Sequence, residues 1–326
     1  MREDVRSIKN ICPSCFGTLD GVGVCRSCGI RPESIANPPA ALPLRSVIGS
    51  RYMTGKSLGI GGFGITYLAW DLNESRKVAI KEFFPQGYAT REKGDSRVNV
   101  LSPEVVQPFN HWLGAFVEEA KVLMRIKHLH GVVKLLDYFE NNNTAYIVTD
   151  YLEGKSLRNH LTERNYKIPY NEALGILRPV FESLAVLHGY GVIHKDISPE
   201  NIIIVLNKYV KLIDFGAAAL YKVNGNEKPY VVQKAGYSPV ELYRAAPRGF
   251  GPWTDVYQMG ATLYNCVTGY IPAVASEREK EDKLPRPSAL GIDLPEYVED
   301  AIMKAMAVKS EDRYQTVSDF AKDLKI

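Results

Sequence analysis

His194-Lys195-Asp196-Ile197-Ser198-Pro199-Glu200-Asn201, with Asp214-Phe215-Gly216 beginning 13 residues beyond Asn201, is the stretch from which the rest of the chain can be read. Two carboxylates and one amide stand here at fixed intervals. Moving a phosphoryl group asks little covalent chemistry of a protein. It does ask for a carboxylate that aligns an acceptor hydroxyl, and for oxygen ligands that hold Mg2+ against the phosphates. Asp196 suits the first task. Asn201 and Asp214 suit the second.

Working outward toward the N-terminus, GIGGFGITY places Gly59, Gly61 and Gly64 as G-x-G-x-x-G. Missing side chains let backbone N–H groups approach phosphate oxygens, but the string alone also occurs in dinucleotide-binding folds and in plain turns. A dinucleotide fold opens a helix at the glycines and carries an acidic residue about 20 positions on. Here ITYLAWD is strand-like instead and is followed by VAIK, whose Lys81 lies 17 residues after Gly64. On that next strand its ammonium is expected to be within reach of α- and β-phosphates.

RYMTGKSLG, ITYLAWD and KVAIKEFF are rich in β-branched or aromatic residues and are separated by turn residues, so each is expected as a strand. VVKLLDYFE and TAYIVTDYL are two further strands around the turn Asn141-Asn142-Asn143, and AFVEEAKVLMRI fits a helix. After Glu153 the pattern changes. Leu174, Leu177, Phe181, Leu184 and Leu187 recur at spacings of three and four, the stripe of a buried amphipathic helix. TDVYQMGATLYNCV and the segment from Glu296 to Ala307 are helical in pattern too. The expected architecture is α+β and bilobal, a β-rich lobe joined to a helical one with a cleft between them.

With these spacings in hand, residues 47–326 resemble a eukaryotic-type protein kinase domain, and GGFGITYLAWD, VAIKEFFP and AGYSPVELY are closest to bacterial serine/threonine kinases. The resemblance implies a kinase-like fold with an N-lobe over 47–152 and a C-lobe over 153–326. It implies ATP and Mg2+ as cofactors and Ser/Thr hydroxyls of protein substrates as acceptors. Asp196 would be the catalytic base, and Asn201 and Asp214 the Mg2+ ligands. Gly59, Gly61, Gly64 and Thr66 would cover the nucleotide. Lys81 would pair with Glu119, Glu118 being the weaker candidate. Thr149 would be the gatekeeper, with Asp150 to Leu152 facing adenine through their backbone. Asp255 would brace the catalytic loop, and Glu241 and Arg313 would form a buried ion pair. His188 and His194 read as structural, and Cys266 as a buried thiol on an apolar helical stripe.

Four departures from the family pattern stand out. Lys195 replaces an arginine, and lysine lacks the planar two-pronged contact with a phosphorylated loop. Between Gly216 and Pro239 the only Ser or Thr is Ser238, beside Tyr221, Tyr230 and Tyr237, so activation is expected not to use a phosphothreonine there. Ser198 stands where such kinases carry a lysine that steadies the γ-phosphate, and Lys234 is expected to approach Asp196 and partly replace that charge. Finally, 37 residues lie between Lys81 and Glu119, so PQGYATREKGDSRVNVLSPEVVQPFNHW reads as an insertion with enough aromatics to pack. A scaffold without transferase activity, binding partners through its N-terminus, is the rival reading. Retention of Lys81, Glu119, Asp196, Asn201 and Asp214 argues against it.

Four of the five cysteines, Cys12, Cys15, Cys25 and Cys28, fall in the first 28 residues as two C-x-x-C pairs nine residues apart. The spacing suits a zinc ribbon over residues 1–31, with structural Zn2+ because cysteine fills every ligand position. A segment of about 30 residues cannot hold itself together by apolar burial, and metal binding worth on the order of 10 kcal/mol would supply the difference. Residues 32–46 carry Pro32, Pro38, Pro39 and Pro43 and read as a semi-extended linker. Five basic against three acidic residues give residues 1–31 a charge of +2, which four thiolates on Zn2+ cancel, so a protein partner is favoured there over nucleic acid. The whole chain, 326 residues with a formal charge of +3, is no general polyanion binder. No apolar run reaches the ~18 residues of a membrane helix and the first ten residues lack a signal-peptide core, so a cytoplasmic protein is expected.

Overall fold

Strands form where β-branched and aromatic residues cluster, and six of them pair into one antiparallel sheet. They are β1 (Val47–Ile48), β2 (Tyr52–Gly61), β3 (Gly64–Asp71), β4 (Arg76–Phe83), β7 (Leu135–Asn141) and β8 (Thr144–Asp150), in the order β1-β2-β3-β4-β8-β7. The computed structural model describes residues 10–126, 129–205, 209–215, 219–220, 233–243 and 249–326. The side chains of Glu119, Val122, Arg125, Ala219 and Leu220 lie outside that description, as do Gly216, Tyr221 and Tyr230. The chain divides into two units, one of residues 10–125 with Lys134–Tyr151, the other of Ile126–Val133 with Leu152–Ile326.

In the first unit the β7–β8 hairpin turns on Asn142 and Asn143, both left-handed at φ 54° and 59°. Asparagine tolerates that conformation, and two such residues match the strand twist. Helix α1 (Val106–Arg125) begins nine residues before the stretch AFVEEAKVLMRI that periodicity marked. Pro108 lies in its first turn, where no intrahelical N–H is needed. The early start has a packing cause: Phe109 and Phe116 stack against Phe83 of the sheet at 5.3 and 5.5 Å. Much of the segment before the helix is also ordered by packing. Short strands β5 (Ala89–Thr90) and β6 (Asn99–Val100) pair, and Tyr88 meets Trp112 edge-on at 4.6 Å.

Residues 37–46 run along β2 and pack against it, with Ala41 and Leu42 buried. Asn37 accepts from the Ser57 N–H at 2.9 Å, while Arg45 and Thr54 exchange backbone bonds with the strand and with Ser46 at 2.8 Å. Leu42 is 1% exposed and its N–H donates to the Tyr67 hydroxyl at 3.0 Å. The prolines imply an extended course; they do not reveal this burial.

The second unit is helical, with α2 (Leu157–Glu163), α3 (Tyr170–Gly189), α4 (Pro252–Thr268), α5 (Ala275–Arg278), α6 (Glu296–Ala305) and α7 (Val317–Asp323). Leu174, Leu177, Phe181, Leu184 and Leu187 of α3 are all buried, as is Cys266 of α4. Helix α4 opens with Pro252 and stops at Gly269, left-handed at φ 82°, which is the ordinary asymmetry of helix ends. Short strands β9 (Gly154–Ser156), β11 (Ile202–Val205) and β12 (Tyr209–Leu212) form one sheet, and β10 (Val192–Ile193) pairs with β13 (Ala219–Leu220). These strands frame the segment from His194 to Asn201.

Candidate active site

Within the first unit, Gly61 pairs with Gly64 at the end of β2 and β3, so Gly62 and Phe63 make the turn. A Cβ at Gly64 would lie 2.5 Å from the Glu82 carbonyl oxygen, so β4 reaches its position only beside glycine. At Gly59 and Gly62 a Cβ would meet nothing within 4 Å, which leaves the backbone open to a ligand. The turn is tied to the chain after β4, since Phe84 and Gln86 donate N–H bonds to Phe63 and Gly62 at 2.9 and 2.8 Å. Lys81 lies opposite Thr66 on β3 and Ile147 on β8. Directly opposed residues share a face, so the Thr66 hydroxyl and the Lys81 stem are neighbours.

The next residue, Glu82, faces the other way and is fully buried. It is paired with the Arg91 guanidinium and accepts from the hydroxyls of Tyr67 and Tyr146, each at 2.8 Å. Burial, reinforced by the Glu82 charge, pushes both tyrosines well above their ordinary pKa, so the hydroxyls remain donors. Arg91 also donates to the Ala40 carbonyl at 2.5 Å. One buried cluster therefore joins the Lys81 strand, the segment before α1 and the proline-rich stretch. Sequence reasoning missed it, although an arginine amid a supposed insertion next to VAIKE was the available signal. Glu118 of α1 pairs with Lys121 at 2.5 Å, and the Glu119 side chain falls outside the described residues. Thr149 of β8 lies opposite Ala79, and Asp150 lies opposite Val78, binds the Arg76 guanidinium at 2.7 Å and donates its N–H to the Lys134 carbonyl at 3.1 Å. Leu152 begins the second unit.

In the second unit a fully buried carboxylate organises the loop from His194 to Asn201. Asp255 accepts from the N–H groups of His194 and Lys195, both at 2.9 Å, and lies 2.8 Å from His188 Nε2. Burial alone would raise its pKa, but His188 and the loop N–H groups outweigh that and hold it below the carboxylate range. One turn along α4, Gln258 accepts from the Ile197 N–H at 3.0 Å and donates to the Lys195 carbonyl at 2.8 Å. Gln258 was not singled out from sequence, though its i+3 spacing from Asp255 puts both on one helix face. The brace holds Lys195 in a left-handed conformation at φ 64°. Such a backbone costs on the order of 1–3 kcal/mol for a non-glycine residue and persists where neighbours over-determine it. Asp214 has the same conformation at φ 67°.

Asn201 donates through Nδ2 to both the carbonyl and the Oδ2 of Asp196, each at 2.8 Å, and accepts the Ile213 N–H at 2.8 Å. The side-chain amide thus fixes the Asp196 carboxylate, and the Asn201 backbone carbonyl ties the loop to the segment that carries Asp214. With Nδ2 engaged, Asn201 Oδ1 is the atom that can face a cation. His194 packs edge-on against Phe215 at 4.8 Å, and its Nδ1 accepts from the Asp196 N–H at 3.3 Å, a structural use. The Lys195 ammonium lies over the Phe250 ring at 4.8 Å. Glu241 and Arg313 meet at 2.7 Å with both side chains buried. A further network, not foreseen, centres on Arg158 of α2. It donates to Glu200 at 2.7 Å, to Asn265 at 3.1 Å and to the Tyr237 hydroxyl at 2.6 Å.

The four early cysteines form a separate cluster in the first unit. Two turns repeat one bonding pattern: Phe16 and Gly29 donate to the carbonyls of Cys12 and Cys25, each at 2.8 Å, while Cys12 and Cys25 donate to Gly17 and Ile30 at 2.8 and 3.0 Å. Their four Sγ atoms lie within 4.8 Å of one another, with Cys12 to Cys28 at 3.7 Å and Cys15 to Cys25 at 3.4 Å. The cluster rests on the sheet. Pro13 accepts from the Lys56 N–H of β2 at 2.8 Å, Phe16 packs on Trp70 of β3 at 5.5 Å, and Arg45 donates twice to the Ile11 carbonyl. A Cβ at Gly55 would sit 2.4 Å from the Pro13 oxygen, so glycine permits the contact.

Comparison with known proteins agrees with this geometry. The profile of the protein kinase domain family matches residues 52–323. Serine/threonine-protein kinase PknB of Mycolicibacterium smegmatis is 30% identical over 292 residues, covering 85% of this chain and 43% of that protein. The chain therefore spans less than half the length of that relative. Serine/threonine-protein kinase PknL of Mycobacterium tuberculosis is 28% identical and is covered over 67% of its length. Among solved structures, PpkA-294 in its apo form is 31% identical at a TM-score of 0.72, covering 87% of this chain and 99% of that one. The PknI kinase domain of Mycobacterium tuberculosis, 22% identical at a TM-score of 0.64, shares the fold.

Proposed function

Because the chain belongs to the protein kinase domain family, we propose that it transfers the γ-phosphate of ATP to Ser or Thr hydroxyls of protein substrates. The observation that carries this reading is the Asp196–Asn201 pair. A carboxylate held by an amide at 2.8 Å, on a loop braced by Asp255 and Gln258, is pre-set to receive a proton from an acceptor hydroxyl. In the step, the acceptor oxygen forms a bond to the γ-phosphorus and the bond to the β-phosphate oxygen breaks. The hydroxyl proton passes to Asp196 and ADP leaves. Asn201 Oδ1 and the Asp214 carboxylate are hard oxygen donors of the kind Mg2+ takes, and the ion when bound offsets phosphate charge. Gly59, Gly61, Gly64 and Thr66 line the nucleotide, Lys81 binds its phosphates with Glu119 as orienting partner, and Thr149, Asp150 and Leu152 border adenine.

The cysteine cluster fits structural Zn2+. A tetrahedral ion with Zn–S bonds of about 2.3 Å has S–S edges of about 3.8 Å, close to the observed 3.4 and 3.7 Å. Cys12, Cys15, Cys25 and Cys28 would hold it, and four thiolates leave no position for a substrate. Protein substrates are the expected partners of the kinase unit, and a protein is the expected partner of the ribbon.

The test is incubation of the full chain with labelled ATP and Mg2+ and a mixed peptide library, followed by phosphosite mapping. Wild type is expected to label Ser and Thr, and Asp214→Ala to lose more than about 10²-fold in rate. Absence of transfer by wild type would leave a binding scaffold instead.

A further inference from the structure

We infer that Lys234 is the side chain that meets the γ-phosphate of bound ATP, held at the catalytic loop by Ser198 and Glu200. This rests on the kinase reading above and adds a residue to it. The transferring phosphoryl group spreads negative charge over its oxygens, and the Asp196 carboxylate beside it adds more. A cation fixed on the same loop offsets that charge without reorganising during the step.

Among the described residues, three cations flank this loop in the second unit. Arg158 is engaged at all three nitrogens, with Nε, Nη1 and Nη2 on Glu200, Asn265 and Tyr237. Lys195 is buried with its ammonium over Phe250. Lys234 differs: its Nζ donates to Ser198 Oγ at 2.6 Å, lies 3.2 Å from Glu200 Oε2, and its side chain is 29% exposed. An ammonium has three donors; the bond to Ser198 uses one, and the Glu200 contact is an ion pair without a hydrogen bond. Charge points the same way. Glu200 already has Arg158 as its counter-ion, so Lys234 leaves the trio Arg158, Glu200 and Lys234 with one net positive charge. Ser198, which is fully buried and two residues from Asp196, aims that charge at the loop. The stem is fixed as well. The Lys234 N–H donates to Ser238 Oγ at 2.8 Å, and its carbonyl accepts from Tyr237 and Ser238 at 3.0 and 2.9 Å.

The experiment measures kcat, KM for ATP, KM for peptide and Tm for wild type, Lys234→Met, Ser198→Ala, and the exchange Ser198→Lys with Lys234→Ser. Lys234→Met is expected to lower kcat by about 10²-fold with KM for ATP changed by less than about threefold. Ser198→Ala keeps the charge but frees it, and is expected to lose about tenfold in kcat. The exchange returns an ammonium to the loop from the other side and is expected to recover kcat relative to Lys234→Met. An unchanged kcat in Lys234→Met overturns the assignment. So does a loss confined to KM for peptide and Tm that the exchange does not reverse, because that is the mark of a structural anchor. If Lys234→Met does not fold, Ser198→Ala and the exchange decide alone. A wild type that binds ATP but transfers no phosphate overturns the kinase reading itself, which the variants do not bear on.

Discussion

Glu82 and Lys81 are chain neighbours with opposite assignments, because successive strand residues face opposite sides of a sheet. Lys81 is left with Thr66 on the face expected to hold phosphates. Glu82 is sealed under Arg91, Tyr67 and Tyr146. Removing one member of a buried ion pair strands the other charge, which costs about 3–5 kcal/mol. Arg91→Met is therefore expected to lower the unfolding free energy by about that amount in urea titration. A loss under about 1 kcal/mol would show that the pair is dispensable. The residues proposed for the chemistry, Lys81, Asp196, Asn201 and Asp214, stand out in the sequence because phosphate and Mg2+ call for such types at such intervals. Arg91 was not, because its partner lies nine positions away, across a segment that carries no periodic signal.

The elements that periodicity marks are those whose burial follows one period. The five apolar residues of α3 are buried as a stripe, and the strands rich in β-branched and aromatic residues pair into one sheet in the order β1-β2-β3-β4-β8-β7. Helix α1 escaped in its first nine residues because Pro108 and His111 interrupt the pattern, while Phe109 packs on Phe83 of a different element. The cysteine ribbon belongs at this scale too. Its Pro13 and Phe16 lie on β2 and β3 through the gap at Gly55, and β2 leads directly into Gly59 and Gly61. The full chain is expected to carry one zinc by metal analysis. Chelation is expected to speed hydrogen exchange of the Lys56 amide, which donates to Pro13, and of the Cys12 amide within its turn. Gly55→Ala should speed Lys56 exchange with zinc retained. If chelation leaves Lys56 protected, ribbon docking does not depend on metal.

Across the whole molecule the acid response follows from which carboxylates are held charged. Burial would raise the pKa of Glu200, but Lys234 and Arg158 outweigh it and bring it from 4.5 down to about 2. Asp255 is lowered likewise by His188 and the loop N–H groups against its burial. A depressed folded pKa means stability that is complete above the unfolded value and lost as pH falls through the folded one. The second unit is thus expected to lose stability between pH 4.5 and about 2. In guanidinium titrations Glu200→Gln should flatten that loss while lowering the plateau at neutral pH; an unchanged slope would assign the acid response to other groups. The sequence by itself determined the class of fold, because strand-forming runs and a buried helical stripe are local patterns, and it pointed to the proposed chemistry, because glycines, a lysine, carboxylates and an amide stand at set intervals. Only the tertiary structure decided that Leu42 is buried, that Arg91 caps Glu82, that the cysteine cluster rests on β2 and that Lys234 reaches Ser198. Each of these joins residues nine or more positions apart, where the deciding quantity is a packed distance that no local period encodes.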